Sequence, residues 1–133
     1  MSVVFLDTVG LVALWDEDDQ WHSLARSAYA RLVQERKPMV TTTFVLLECG
    51  NAAARRPYRL AVDRLCKQMH HEGTLIAPTV EDWDAGWLAY RGGPSSAAGI
   101  VDQVSFTVMR RLGLRQAFTN DRHFRAAGFE LCF

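Results

Sequence analysis

The segment "VVFLDTVGLVAL", Val3 to Leu14, decides how the fold is read. Residues 2–6 include a short apolar, β-branched run, which predicts a buried strand. Thr8 is placed to N-cap a short helix over 9–15. Asp7 stands between the two, with apolar residues before and after it. An ionised Asp at the edge of a core costs free energy unless something pairs with it. The rest of the chain has to supply that partner.

Outward from this segment, helix and strand signals alternate. The stretch 21–36 carries Leu24, Ala25, Ala28, Leu32 and Val33 at helical spacing, and "MVTT" at 39–42 reads as a strand. Residues 43–56 read as a helix stopped by Pro57, and 59–71 as a helix closed by Gly73. "TLIA" at 74–77 reads as a strand, and 81–91 as a helix with Trp83, Trp87 and Tyr90 on one face. The Gly- and Ser-rich "RGGPSSAAG" at 91–99 reads as a loop. Residues 99–113 form a further helix, with Arg110 and Arg111 suiting the dipole at its end and Gly113 stopping it. "QAFTN" at 116–120 and "FELC" at 129–132 read as closing strands. This alternation predicts an α/β protein with a parallel sheet.

The 133 residues suit one domain over 1–133 with a real core, and 49% hydrophobic with 23% charged residues is a globular balance. Lys plus Arg equal Asp plus Glu at 15 each, so nucleic-acid binding would need local basic patches. No apolar run is long enough to span a bilayer, and the N-terminal run lacks a basic flank, so neither membrane span nor signal peptide is expected. Cys49, Cys66 and Cys132 are isolated, which argues against zinc or a disulfide framework and fits a reducing cytoplasm. The histidines lack ligand spacing; His70 and His71 are adjacent, and His123, beside Asp121, reads as structural.

Four acids stand out. Asp7 ends the first strand and Asp121 follows a later one, and ligands of open parallel sheets bind at those ends. Glu48 in "FVLLECGNAA" and Asp102 in "GIVDQVSF" occupy apolar helical surroundings. The other acids, including Asp16, Glu81 and Asp82, sit in polar contexts and read as solvated. Each of the four has a structural reading: a helix cap for Asp7, a dipole partner for Asp102, a turn for Asp121, a distant pair with Arg55 for Glu48. Together they want a cation, because neighbouring carboxylates do not all stay ionised without one. Hard oxygen ligands select Mg²⁺ or Mn²⁺, and such an ion suits phosphodiester chemistry. Asn51 and Ser105 lie three residues after Glu48 and Asp102 and share their helix faces.

"FLDTVGLVAL", "VTTTFVLLECGN", "GIVDQVSFTVMRRLG" and "AFTNDRHFRAAGFEL", in this order, resemble the PIN-domain ribonucleases, close to the VapC-type toxins of toxin–antitoxin pairs. The resemblance implies a three-layer sandwich whose central, mostly parallel sheet is flanked by helices. It implies a Mg²⁺- or Mn²⁺-dependent endoribonuclease in which Asp7, Glu48, Asp102 and Asp121 are both catalytic and metal-holding, with Thr8, Asn51, Ser105 and Thr119 as supporting polar residues. It also implies homodimers, an RNA substrate and a cognate antitoxin that covers the cleft. "GGPSSAAG" departs from the family's shorter approach to the third acid.

The rival from another class is a catalytically silent PIN-like RNA-binding or scaffold module, which would lack one of the acids. A phospho-accepting receiver domain would need an acidic pair at the first strand and a late lysine, whereas the lysines are Lys37 and Lys67. Arg55, Arg56, Arg59 and Arg122 belong to basic clusters that could contact either RNA or antitoxin.

Overall fold

The computed structural model describes residues 2–92 and 98–133. Strands β1 (Val4–Leu6), β2 (Met39–Thr42), β3 (Leu75–Ile76), β4 (Gln116–Phe118) and β5 (Glu130–Leu131) form one sheet in the order β3-β2-β1-β4-β5. Every neighbouring pair is parallel. The described helices are α1 (Thr8–Trp15), α2 (His22–Gln34), α3 (Thr43–Ala53), α4 (Arg59–Glu72), α5 (Val80–Arg91), α6 (Ile100–Leu112) and α7 (Arg122–Ala126). Parallel neighbours need crossovers, and helices fill them. Right-handed crossovers put α1–α4 on one face and α5–α7 on the other. The result is the three-layer sandwich the resemblance implies, with a sheet that is wholly parallel.

β1 is central, between β2 and β4, and Val4, Phe5 and Leu6 are all buried. That explains a continuous apolar run where a half-exposed strand would alternate. Leu6 lies in register with Phe118, so Asp7 and Thr119, the next residues in the chain, leave adjacent strand ends together. The Asp7 backbone N–H donates to the Phe118 carbonyl at 3.4 Å. α1 therefore starts against the end of β4, and a Cβ on Gly10 would collide with that same carbonyl. Beyond the sheet, Phe106 of α6 meets Phe124 of α7 edge-on, with ring centroids 4.8 Å apart, and this contact seats α7 beside the end of β4.

Several local expectations are corrected. The N-cap of α1 is Asp7, whose side chain accepts from the Val9 N–H, and Thr8 is already helical. α3 ends at Ala53 short of the expected 56, because the residue before Pro57 avoids the helical region. The strand read over 116–120 stops at Phe118, and Asp121, for which a turn is the lesser reading, caps the short helix α7. Asp82, expected to be solvated, is 1% exposed. It forms a capping box with Thr79 and takes two hydrogen bonds from Arg111, at 2.9 and 2.7 Å. Of the loop read over 91–99, residues 93–97 lie outside the described residues.

Candidate metal centre

Asp7 is 1% exposed. Its Oδ2 accepts from the Thr119 hydroxyl at 2.9 Å and from the Val9 N–H at 3.3 Å. Its Oδ1 is buried and has no hydrogen-bond partner among the described residues. The helix-cap reading therefore accounts for one oxygen and leaves the other unexplained. Burial, and then the neighbouring charge of Asp102, push its carboxyl up to about 8, against the hydrogen bonds from Thr119 and the Thr8 backbone; Asp121 adds to the rise.

Asp102 is the third residue of α6 and half-buried. Burial raises it to about 6, with further contributions from Asp121 and Glu48 and opposition from His123 and the Gly99 backbone. Asp121 caps α7, accepting at Oδ1 from the His123 N–H at 2.9 Å. Glu48, on α3, accepts at Oε1 from the Thr8 hydroxyl at 2.7 Å. So Thr8 acts on a site acid and leaves the capping to Asp7.

Thr119 is fully buried and joins two of the acids. Its hydroxyl donates to Asp7 and accepts from the Asp121 backbone N–H at 3.0 Å. Ser105 is also buried, and its Oγ has no hydrogen-bond partner among the described residues. Asn51 is exposed. Among the described residues, Asp102, Asp121 and His123 each offer a donor atom within 4.8 Å of the others. His123, which the sequence reads as structural, joins Asp102 and Asp121 in this grouping; a residue two positions after Asp121 and on another helix from Asp102 leaves no spacing signature. Asp7 and Glu48 stand outside that tight grouping and join it through their charges.

Cys49 is buried, and burial, followed by the charge of Asp7, pushes its thiol up to about 12, so that without a metal it stays a thiol near neutral pH. Of the basic residues, Arg56 pairs with Asp16 at 3.1 Å, and Arg59 donates to the Ala54 carbonyl at 3.0 Å. Arg55 and Arg122 are exposed. Arg122 adjoins Asp121 at the start of α7, while Arg55 and Arg56 lie in the α3–α4 turn and Arg59 opens α4.

The donor set fits a hard divalent cation. A buried carboxylate oxygen without a partner and two carboxyl groups held upward by burial and mutual charge are what oxygen ligands show when no cation offsets them.

Comparison with known proteins agrees with this fold. The family model described as the PIN domain matches residues 4–130. The curated 23S rRNA-specific endonuclease VapC20, from two strains of Mycobacterium tuberculosis, is 29% identical over 136 aligned residues, covering 96% of this chain and 95% of the relative. The crystal structure of Mycobacterium tuberculosis VapC20, described as a Sarcin-Ricin loop cleaving toxin, superposes with a TM-score of 0.79 at 27% identity, covering 97% of both chains. With the strand order, the strand-end acids and a match over nearly its whole length, the chain belongs to the PIN-domain family.

Proposed function

We propose that this chain is a divalent-metal-dependent endoribonuclease, the toxin of a toxin–antitoxin pair, built as one domain over 1–133. The observation that carries the reading is Asp7, a buried carboxylate with one oxygen unpartnered among the described residues, and within reach of the charges of Asp102 and Asp121. Asp7, Glu48, Asp102 and Asp121 would hold Mg²⁺ or Mn²⁺. A bound ion supplies charge to neutralise a phosphodiester and lowers the pKa of an attacking water. The chain positions the ligands: Thr119 ties Asp7 to the Asp121 backbone, and Thr8 orients Glu48. No side chain has to be the nucleophile.

RNA as substrate is supported by the relatives, whose names specify 23S rRNA and the Sarcin-Ricin loop. Exposed Arg122, beside the acids, is placed to meet an RNA phosphate or an acidic antitoxin segment. No helix among the described residues is long and apolar enough to cross a membrane, and the free thiols suit a reducing cytoplasm. A homodimer completes the reading, and α5 offers its surface. Trp83 meets Phe44 of α3 and Trp87, and Trp87 meets Tyr90, as a run of edge-on rings. Val80, Trp83, Leu88 and Tyr90 nonetheless remain exposed. Glu81 and Asp84 stand near the start of this helix and Arg91 at its end, so two antiparallel copies place opposite charges together.

The test is cleavage of an rRNA stem-loop by nuclease-free protein in Mg²⁺. Cleavage should stop in EDTA and fall by orders of magnitude in Asp7→Asn. Cleavage by Asp7→Asn at the wild-type rate would remove Asp7 from the site.

A further inference from the structure

We propose that His123 is itself a ligand of the metal centre, through Nδ1, and that this nitrogen biases the site toward Mn²⁺ over Mg²⁺. The inference rests on the metal-centre reading above and goes beyond its all-carboxylate ligand set.

The geometry comes first. His123 Nδ1 lies 2.9 Å from Asp121 Oδ1. Asp102 completes a triple whose donor atoms all fall within 4.8 Å of one another. Two donors at right angles on an octahedral ion, each about 2.1 Å from it, are about 3.0 Å apart. The observed separation therefore suits two neighbouring ligands of one ion as well as it suits a hydrogen bond. The Asp121 carboxylate is held in place beside the ring, because the His123 backbone N–H donates to the same Oδ1 at 2.9 Å. Asp7 Oδ1, buried and without a hydrogen-bond partner among the described residues, is an independent sign that a cation belongs among these groups.

The chemistry follows from the ring's two nitrogens. Without metal, an Nδ1–H would donate to Asp121. As a ligand, Nδ1 offers its lone pair, and a neutral ring carries its single proton on Nε2 instead. A ring that is neutral without metal changes only its tautomer, and a protonated ring releases one proton to solvent. An imidazole nitrogen is a softer donor than a carboxylate or water oxygen. Mg²⁺ is held chiefly by oxygen, whereas the transition ions, Mn²⁺ among them, accept nitrogen more readily. Pure carboxylate coordination would show no such bias.

The experiment uses the full chain loaded with Mn²⁺ and pulsed electron paramagnetic resonance, which detects nitrogen bonded to the ion independently of activity. Wild type should show a directly coordinated ¹⁴N coupling, converted to the ¹⁵N pattern by labelling histidine alone. His123→Gln should lose it, while a variant with His22, His70 and His71 all changed to Gln should keep it. In competition titrations His123→Gln should weaken Mn²⁺ by about tenfold or more and Mg²⁺ by less. If Mn²⁺ binds and Asp102→Asn abolishes binding, yet labelled wild type shows no histidine nitrogen, the assignment of His123 is overturned and the carboxylate centre stands. If Mn²⁺ does not bind wild type, or binds equally well to Asp102→Asn, the metal centre itself fails. Because isotope labelling needs no substitution, a His123→Gln protein that does not fold leaves the test intact.

Discussion

The Thr119 hydroxyl gives its proton to Asp7 and takes one from the Asp121 backbone, so Thr119→Val, nearly the same in shape, strips a hydrogen bond from two site residues at once. A buried polar group left short of a partner costs about 1–3 kcal/mol. Urea denaturation in EDTA should show a loss in that range, and RNA cleavage should fall although no acid has been touched. Unchanged stability and cleavage would mean that the acids are positioned without Thr119. At this scale the sequence is legible where a residue contradicts its surroundings. Asp7 and Asp102 stand out because carboxylates interrupt apolar runs. His123 does not, because it sits between Arg122 and Phe124 in no ligand spacing, and only the seating of α7 brings it to Asp102. Thr8 is misassigned for a different reason. A helix start moves easily by one residue, and the shift hands the cap to Asp7 and releases the Thr8 hydroxyl to Glu48.

α5 and α6 are locked together by Asp82, a residue that sequence context makes look solvated. Its burial is imposed by Arg111, far along the chain on the next helix, and local composition carries no sign of it. The Arg111 guanidinium and the Thr79 hydrogen bonds hold the Asp82 carboxyl below the usual range even though burial pushes the other way. Thr79→Ala forfeits one hydrogen bond of the capping box, about 1 kcal/mol. Asp82→Ala loses the rest of the box, the charge pairing to Arg111 and buried volume, so it should lower the melting temperature clearly more than Thr79→Ala does. Equal shifts would reduce Asp82 to a cap. The same contrast explains which elements can be read in advance. β1 and α6 announce themselves by a continuous apolar run and by helical spacing that ends in Gly113. α7 has five residues, too few for a period, and exists because Asp121 caps it and Phe124 packs on Phe106.

The whole molecule couples its acids to its surface and its stability. If the exposed rings of α5 pair two copies, Trp83→Glu puts a charge into the centre of that face while α5 keeps its packing on α6. Sedimentation should then show monomers where wild type forms dimers, with the fold intact by circular dichroism; a wild type that is monomeric at micromolar concentration, or a dimeric Trp83→Glu, would place the dimer elsewhere or nowhere. The acids make a separate prediction for the metal-free fold. Asp7 and Asp102 have folded values of about 8 and about 6, above the ordinary 3.8. Between about pH 4 and pH 8 the folded chain therefore binds more protons than the unfolded one, and stability must fall as pH rises through that window. Protonation relieves the repulsion at the acid end; at neutral pH and above, the cation does. In EDTA the melting temperature should be higher at pH 5.5 than at pH 7.5. Saturating Mg²⁺ or Mn²⁺ should raise it most at pH 7.5, by the equivalent of about 2.7 kcal/mol at a hundred times the dissociation constant, and flatten or reverse the slope. Asp102→Asn should melt higher than wild type in EDTA at pH 7.5 and gain little from metal, because one charge is gone from both the repulsion and the ligand set. A wild-type melting temperature that does not move with pH in EDTA, together with no gain from metal, would mean that these carboxylates do not act as one site.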